Sequence, residues 1–462
     1  MIKLGFRSVV MLGINAIIGA GIFLTPGAVI KLAGPYAPIA YILAGVFAGV
    51  MGVVYATAAR YVQTNGSSYA YTTAAFGNRI GIYVGVTLAV TASIAWGVLG
   101  SLFVSTLLRV AFPTKAWADS DQLFSVKTLT FVLLISVLLL INLFGNRVIK
   151  WANAISTLGK VFALAVFIVG GLWIVLTQHV NNYATSWTVY RSEPYALFGV
   201  AEIGRSTASS LTLATVAALY AFTGFESIAN AAEEMDEPDR TLPRAIPVSI
   251  LAVVTIYILA VFTAMLLGAD KVVASHDTVR LAAPIENETF RTVVVFGALV
   301  SMFGINVAAS FGAPRLWTAI ADRGILPAGL SRKNRFGVPI IAFTITATLA
   351  LAFPLALRFD NPNLTGLAVT ARFVQFIMVP LAVIVLARSR AAEHASVKRN
   401  ALTDKVLPII AVVVSVALVV SFDYRSIFLT RGGFNYFSTA LVVITYVVVP
   451  ALAYLHYYKR PA

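Results

Sequence analysis

The sequence contains no cysteine. This absence excludes disulfide bonds, thiolate metal sites, cysteine nucleophiles and a disulfide-linked partner subunit. Charged residues are also scarce, at 11% of the 462 residues, whereas soluble globular domains usually carry about 25%. A soluble fold is therefore excluded, and the 59% of hydrophobic residues indicates an integral membrane protein.

The apolar residues form about twelve runs of roughly 18 to 28 residues, the length that an α-helix needs to cross a hydrocarbon core of about 30 Å. The predicted spans are residues 8–31, 38–60, 79–110, 127–145, 153–176, 207–231, 246–268, 291–319, 339–357, 364–387, 405–422 and 436–457. The sequence therefore predicts an all-α protein of the lipid bilayer with twelve transmembrane helices.

Acidic residues are outnumbered, with 19 Asp and Glu against 34 Lys and Arg. If the loops alternate between the two sides, the basic excess lies on the side that carries both termini, including segments 315–335 and 388–405. The positive-inside preference then places the N-terminus and the C-terminus in the cytoplasm of a multi-pass protein of the cell (inner) membrane. Because membrane orientation accounts for the charge, no nucleic-acid partner is expected.

Residues 13–26 (GINAIIGAGIFLTP) open the first span, and Gly19, Ala20 and Gly21 lie where a transmembrane helix is most regular. Glycine costs a helix interior about 1 kcal/mol relative to alanine, so this triplet predicts a break. Unwound backbone at membrane depth survives only inside protein or beside a solvated cavity. The break is therefore the first candidate for a binding site.

The sixth span contains a second predicted break, at Gly224. Phe222, Thr223 and Glu226 surround it. If a half-helix begins there, Glu226 lies in its first turn, where the helix dipole favours a carboxylate. Two readings of Glu226 follow, a helix-capping role and contact with a cationic ligand, and the sequence does not choose between them.

The two breaks each open a block of five spans, which predicts an internal repeat. Since five is odd, the blocks enter the membrane in opposite senses, as in many secondary transporters. The predicted divisions are residues 1–176 (helices 1–5), 177–388 (helices 6–10) and 389–462 (accessory helices 11 and 12). Half-helix N-termini receive a carboxylate and freed carbonyls receive a cation, so an α-amino acid fits best.

Three further spans carry polar groups that need an explanation. Lys160 in the fifth span is either functional or reaches the headgroups along its stem. Ser93, with Trp96 and Ser101 in the third span, either faces a pocket or makes helix-packing contacts. Arg372 in the tenth span needs a partner or water.

At these residues the chain resembles the amino acid–polyamine–organocation family of permeases over nearly its whole length. The matching motifs are IIGAGIF (17–23), the loop 66–77 with its Tyr-x-Tyr and Phe-Gly, FTGFES (222–227) followed by AEEMDEPDRTLPRAI (232–246), segment 315–327, and the proline after FGV (336–338). Two departures are Ala20, where many members have serine, and Thr64 and Ser67, where proline and glycine are usual.

The resemblance implies a five-plus-five inverted-repeat core with discontinuous helices 1 and 6. It implies that N–H groups of Gly19, Ala20 and Gly21 meet the substrate carboxylate and that carbonyls of Ile18, Ala221 and Phe222 receive the ammonium. Phe222 would also act as a lid, and Lys160 would take the place that sodium holds in sodium-coupled relatives. The expected substrate-binding residues are Ile18, Gly19, Ala20, Gly21, Ile22, Ala221, Phe222 and Gly224, with Lys160 for ion coupling and Ser93, Thr223 and Glu226 for the side-chain pocket.

The predicted function is secondary active transport of L-amino acids, of neutral or broad specificity, coupled to protons without a metal or cofactor. The hypothesis for Lys160 is that it bridges helices 1, 5 and 8 when charged and releases them on deprotonation. An exchanger and a cationic amino acid transporter remain alternatives on the same fold. A major-facilitator carrier would need six-plus-six blocks, an enzyme would need a catalytic constellation that the sequence does not show, and a nutrient sensor would normally need a larger soluble domain.

Overall fold

The computed structural model describes residues 5–62, 67–113, 115, 122–143, 146–190, 194–197, 201–225, 235, 237–275, 277, 279–334, 338–359, 361–389, 399–422, 424–430 and 433–459. Most of these residues are helical. The helices are α1 (Phe6–Ile17), α2 (Gly21–Leu24), α3 (Pro26–Ala33), α4 (Ala37–Tyr61), α5 (Ser67–Phe76), α6 (Asn78–Ala111), α7 (Val126–Leu143), α8 (Asn146–Thr177), α9 (Thr185–Val189), α10 (Thr207–Phe222), α11 (Pro238–Ala274), α12 (Glu288–Asp322), α13 (Ile340–Ala356), α14 (Asn361–Arg388), α15 (Leu407–Ser421), α16 (Arg425–Phe428), α17 (Tyr436–Val443) and α18 (Val449–Tyr458).

Strands occur in two short antiparallel hairpins in the described part of the chain. β1 (Pro194–Leu197) pairs with β2 (Ala201–Arg205), and β3 (Leu429–Thr430) pairs with β4 (Gly433–Phe434). Both hairpins lie in connections between helices, so the all-α prediction for the membrane-embedded part is confirmed.

Among the described residues, eight helical segments are long and apolar enough to cross a membrane. Three shorter apolar helices, α7, α10 and α13, accompany them. The chain is therefore a multi-pass membrane protein, as its composition predicts.

Polar residues at helix starts explain where two of these helices begin. The hydroxyl of Ser206 accepts a hydrogen bond from Ser209 N (3.1 Å), and Ser209 Oγ accepts one from Ser206 N (3.0 Å), which forms a reciprocal cap on α10. At α12, Asn287 Oδ1 accepts a hydrogen bond from Phe290 N (2.9 Å). These caps satisfy N–H groups that the first helical turn leaves without partners.

The helices pack in two groups. In the first group, α11 lies against α1 and α4, and α10 lies against α3 and α4. In the second group, α6 lies against α7, α12 and α13, and α12 also contacts α13. α8 packs on α12 and α11, and α14 packs on α6 and α4, so these two helices connect the groups and place the ends of α1 and α10 in the interior.

Candidate functional site

The first predicted break is present in the structure. α1 ends at Ile17, Ile18 is extended (φ −70°, ψ 106°), and the helix resumes at Gly21. The backbone N–H groups of Gly19, Ala20 and Gly21 have no acceptor within the described residues. Three donors therefore point out of the broken helix at one place.

α10 is interrupted as well, at the position that Gly224 predicts. The helix ends at Phe222, Thr223 is extended (φ −64°, ψ 143°), and Gly224 has φ 119°. A side chain at Gly224 would collide with the carbonyl oxygen of Ala16 in α1. Glycine is thus required here both for its left-handed φ and for the close approach of the two chains.

The two breaks lie against each other. A Cβ atom added to Gly21 would be 2.6 Å from Ala221 Cα, so the backbones are in direct contact there. Tyr257 of α11 joins them, because its hydroxyl donates to Ala221 O (3.0 Å) and lies 3.3 Å from Ile17 O. One fully buried phenol therefore connects the ends of both half-helices.

Three aromatic rings surround this junction. The ring centroids of Phe222 and Tyr257 are 5.0 Å apart, and Tyr41 of α4 lies 6.4 Å from Phe222 and 6.3 Å from Tyr257. Tyr41 also shares a hydrogen bond with Thr25 (2.6 Å), whose hydroxyl donates to Gly21 O (2.9 Å). The aromatic side chains are therefore fixed to the first half-helix by a defined chain of hydrogen bonds.

Lys160 of α8 reaches the first break directly. Its Nζ donates to Ile18 O (2.7 Å) and Asn15 O (2.9 Å), and only 1% of the residue is exposed. The alternative that Lys160 reaches the lipid headgroups is therefore wrong, because the ammonium points into the helix break and not toward the membrane surface. Both hydrogen bonds of Lys160 connect α8, the predicted helix 5, to the predicted helix 1. α8 contacts α12, the predicted helix 8, through packing, for example where Gly159 lies against Val300.

Two carbonyls that the resemblance assigns to a substrate ammonium already accept hydrogen bonds. Ile18 O accepts from Lys160, and Ala221 O accepts from Tyr257. Ile18 and Phe222 are 0% and 1% exposed, and Ile22 is fully buried. The site is closed to solvent in this conformation, so a ligand reaches it only after the helices move.

The three residues expected to form a side-chain pocket, Ser93, Thr223 and Glu226, have different outcomes. Ser93 is buried, and its hydroxyl donates to Ala89 O (2.8 Å) in its own helix, as a packing residue does. Thr223 donates to Tyr220 O (2.9 Å) and borders a cavity of about 20 Å³ that Arg372 also lines. Glu226 lies outside the described residues. Thr223 therefore lies at the second break, and the hydroxyl of Ser93 is paired within its own helix.

Sequence reasoning missed Tyr257 and the Thr25–Tyr41 pair. A phenol in the middle of an apolar span is a signal, because a buried tyrosine hydroxyl usually finds a partner. Which partner it finds depends on how α11 is rotated against α1 and α10, and no local pattern encodes that rotation.

The sequence is similar to those of known transporters. The family model described as amino acid permease matches residues 4–449. An uncharacterized transporter of Mycobacterium tuberculosis is 74% identical over 99% of this chain and 95% of its own length. The branched-chain amino acid permease BcaP of Bacillus subtilis is 25% identical over 84% of this chain and 81% of its own. The serine/threonine exchanger SteT of the same organism is 27% identical over 84% of both chains.

The family match covers almost every residue of the chain, and it includes both helix breaks and Lys160. The chain belongs to the amino acid permease family of the amino acid–polyamine–organocation transporters.

Proposed function

We propose that this protein is a secondary active permease that carries L-amino acids across the cell membrane by alternating access. The observation that carries the proposal is the contact between the two helix breaks, where three backbone N–H groups without an acceptor among the described residues lie close to the buried carbonyls of Ile18 and Ala221. A transporter needs no nucleophile or catalytic base, so the proposal excludes an enzyme.

The substrate is a zwitterion in this proposal. N–H groups of Gly19, Ala20 and Gly21 would bind the carboxylate, favoured by the positive end of the half-helix that begins at Gly21. Carbonyls of Ile18, Ala221 and Phe222 would accept the ammonium. Because each carbonyl oxygen has two lone pairs, the contacts with Lys160 and Tyr257 do not exhaust the acceptors.

The proposed inverted repeat would account for a reciprocal pattern in the helix packing. α8, the fifth helix of the block 1–176, packs on α11 and α12, the second and third helices of the block 177–388. α14, the fifth helix of the second block, packs on α4 and α6, the second and third helices of the first. This reciprocal pattern supports two related blocks. The proposal adds to them the accessory helices of residues 389–462, which make twelve helices in all, and places both termini in the cytoplasm.

Alternating access follows from the burial of the site. The group formed by α1, α4, α10 and α11 would rock against the group formed by α6, α7, α12 and α13, opening the breaks to one side at a time. Such rocking of one bundle against another is the usual motion of inverted-repeat transporters.

Proton coupling is assigned to Lys160. The charged ammonium donates to Ile18 O and Asn15 O and so ties α8 to the end of α1. Neutral lysine is a weaker donor, so loss of the proton would loosen α1 and allow it to move. Uptake would then be driven by a proton gradient without sodium.

Neutral substrates fit the site best. Tyr41, Phe222 and Tyr257 give it an aromatic wall. Two relatives are named for uncharged amino acids and others of similar identity for cationic amino acids, so the preference rests on the aromatic wall. In reconstituted proteoliposomes, we therefore predict that neutral L-amino acids compete with labelled leucine uptake more strongly than lysine, arginine, aspartate or glutamate. Preferential competition by lysine and arginine would instead support a cationic transporter.

Exchange is the second candidate, favoured by the relative that is named an exchanger. Counterflow separates the two: vesicles preloaded with unlabelled substrate would take up label much faster than empty vesicles only if exchange dominates. Binding of an amino acid without flux in either assay would contradict transport and favour a sensor.

Tyr257→Phe is predicted to weaken uptake about 10-fold, because it leaves the buried carbonyl of Ala221 without its hydrogen-bond donor. An unsatisfied buried acceptor costs about 1–3 kcal/mol, and about 1.4 kcal/mol corresponds to tenfold. The ring packing against Phe222 is kept, so the protein is expected to fold. The measurement is initial uptake against substrate concentration. Tyr183→Phe is the matched control, since its hydroxyl also donates to a backbone carbonyl, Pro35 O (2.6 Å), away from the breaks. Equal loss in both variants would contradict a role of Tyr257 at the junction.

A further inference from the structure

A second cavity, of about 290 Å³, lies between α14, α15 and α17. We call it the apolar cavity. Its lining includes Phe373, Val374, Ile377, Val419, Val442 and Tyr446. It is separate from the two helix breaks, and none of the residues expected to bind the amino acid lines it.

The walls of the apolar cavity carry hydroxyl groups that are already paired within the protein. The hydroxyl of Tyr446 points to Thr370 Oγ1 (3.5 Å), and that of Tyr424 donates to Val419 O (3.0 Å). None of the described side chains that line the cavity is charged. A zwitterion would find no partner there. Water gains little there as well, because a buried water usually makes about 3 hydrogen bonds and seven of the ten lining residues are apolar.

The position of the cavity determines which apolar molecule reaches it. Tyr446 lies about 15 Å along the helical rise from the first residue of the candidate span Tyr436–Tyr458, which is close to the middle of a hydrocarbon core of about 30 Å. Val442 and Tyr446 are partly exposed, and the apolar residues that follow each of them, Val443 and Val447, are 44% and 59% exposed. Because exposed apolar side chains at this depth face lipid, the cavity borders the acyl chains of the bilayer.

We propose that the apolar cavity binds one acyl chain of a membrane phospholipid. Its volume of about 290 Å³ is larger than an apolar cavity of about 150 Å³ that binds benzene, which suits a stretch of acyl chain and not a whole lipid. Phe373 is fixed on one side by an edge-on contact with Phe422 (5.5 Å). The same Phe373 also lines the small cavity beside Thr223 and Arg372, so the bound chain shares a wall with the second helix break.

The experiment uses the full chain in proteoliposomes that contain phosphatidylethanolamine with a diazirine in the middle of one acyl chain. After illumination, mass spectrometry maps the crosslinked residues. We expect crosslinks at residues 370–377 and 442–446. In Val442→Phe, which places a ring in the cavity, these crosslinks are expected to fall at least ~5-fold, because close packing leaves the added ring no other space.

Leu452→Phe is the matched control, because Leu452 is 59% exposed on α18 and does not line the cavity. Its crosslinking at 370–377 should equal that of the wild type. Val374→Phe fills the cavity from α14 and replaces Val442→Phe if that variant is unstable.

Absence of these crosslinks in the wild type would mean that another group fills the cavity, and equal crosslinking in the filled variants would indicate ordinary surrounding lipid. Either result overturns the proposal, and neither depends on transport.

Discussion

Replacement of Lys160 by alanine is expected to reduce proton-driven amino acid accumulation about 100-fold or more. The ammonium makes two buried hydrogen bonds, to Ile18 O and Asn15 O, and hydrogen bonds from charged donors are worth about 1.5–3 kcal/mol each. About 1.4 kcal/mol corresponds to tenfold, so the loss of both bonds accounts for the expected effect. The measurement is uptake into proteoliposomes with an imposed pH gradient, compared with uptake without one.

Two further variants separate charge from titration. Lys160→Arg keeps a positive charge that does not dissociate in proteins, so it is expected to bind substrate but to lose acceleration by the pH gradient. Lys127→Ala removes another buried lysine, whose ammonium lies 4.8 Å from the centre of the Phe359 ring, and should keep the pH response. Full gradient-driven accumulation in Lys160→Ala would contradict the coupling role. The same result in Lys160→Arg would contradict the titration step alone.

Gly21→Ala is expected to reduce uptake more than 10-fold even though it adds a single methyl group. That group would lie 2.6 Å from Ala221 Cα and 3.2 Å from Ala221 N. A backbone neighbour does not rotate away as a side chain does, so the two breaks must separate. Overpacking of this kind costs about 1–3 kcal/mol, and here it displaces the N–H groups that bind the carboxylate.

Gly49→Ala provides the matched control in α4, because nothing lies within 4 Å of a Cβ atom at Gly49. Alanine is favoured over glycine in a helix by about 1 kcal/mol, so this variant should transport normally and melt at the same or a higher temperature. Normal uptake by Gly21→Ala would show that the breaks tolerate separation, and the proposed carboxylate site would then be wrong.

The helix breaks are the part of the site that sequence predicts best. Glycine weakens a helix at any position, so the effect of Gly19, Gly21 and Gly224 is local and is predicted from the sequence. The structure also shows why the second glycine is required, since Gly224 adopts φ 119° and packs against Ala16. α10 stops at Phe222, next to the predicted break, and residues 226–231 of the predicted sixth span lie outside the described residues.

The direction of a long side chain is the part that sequence does not supply. Lys160 lies at a depth from which its stem reaches either the headgroups or the first helix, and the rotation of α8 against α1 decides between them. Ser93 is a similar case: its hydroxyl bonds to Ala89 O in the same helix, which a serine in any apolar span is able to do. Tertiary packing, and not local propensity, selects these partners.

The most direct measurement of amino acid binding at the helix breaks is substrate protection of a single cysteine at Ala20. The chain has no cysteine, so Ala20→Cys is the sole thiol, and its side chain adds only a thiol group to that of alanine. During transport, a membrane-permeant maleimide should label it, and transported L-amino acids should slow the labelling in proportion to their occupancy, while their D-enantiomers should not. Labelling that proceeds at the same rate with and without a transported amino acid would contradict binding at the breaks.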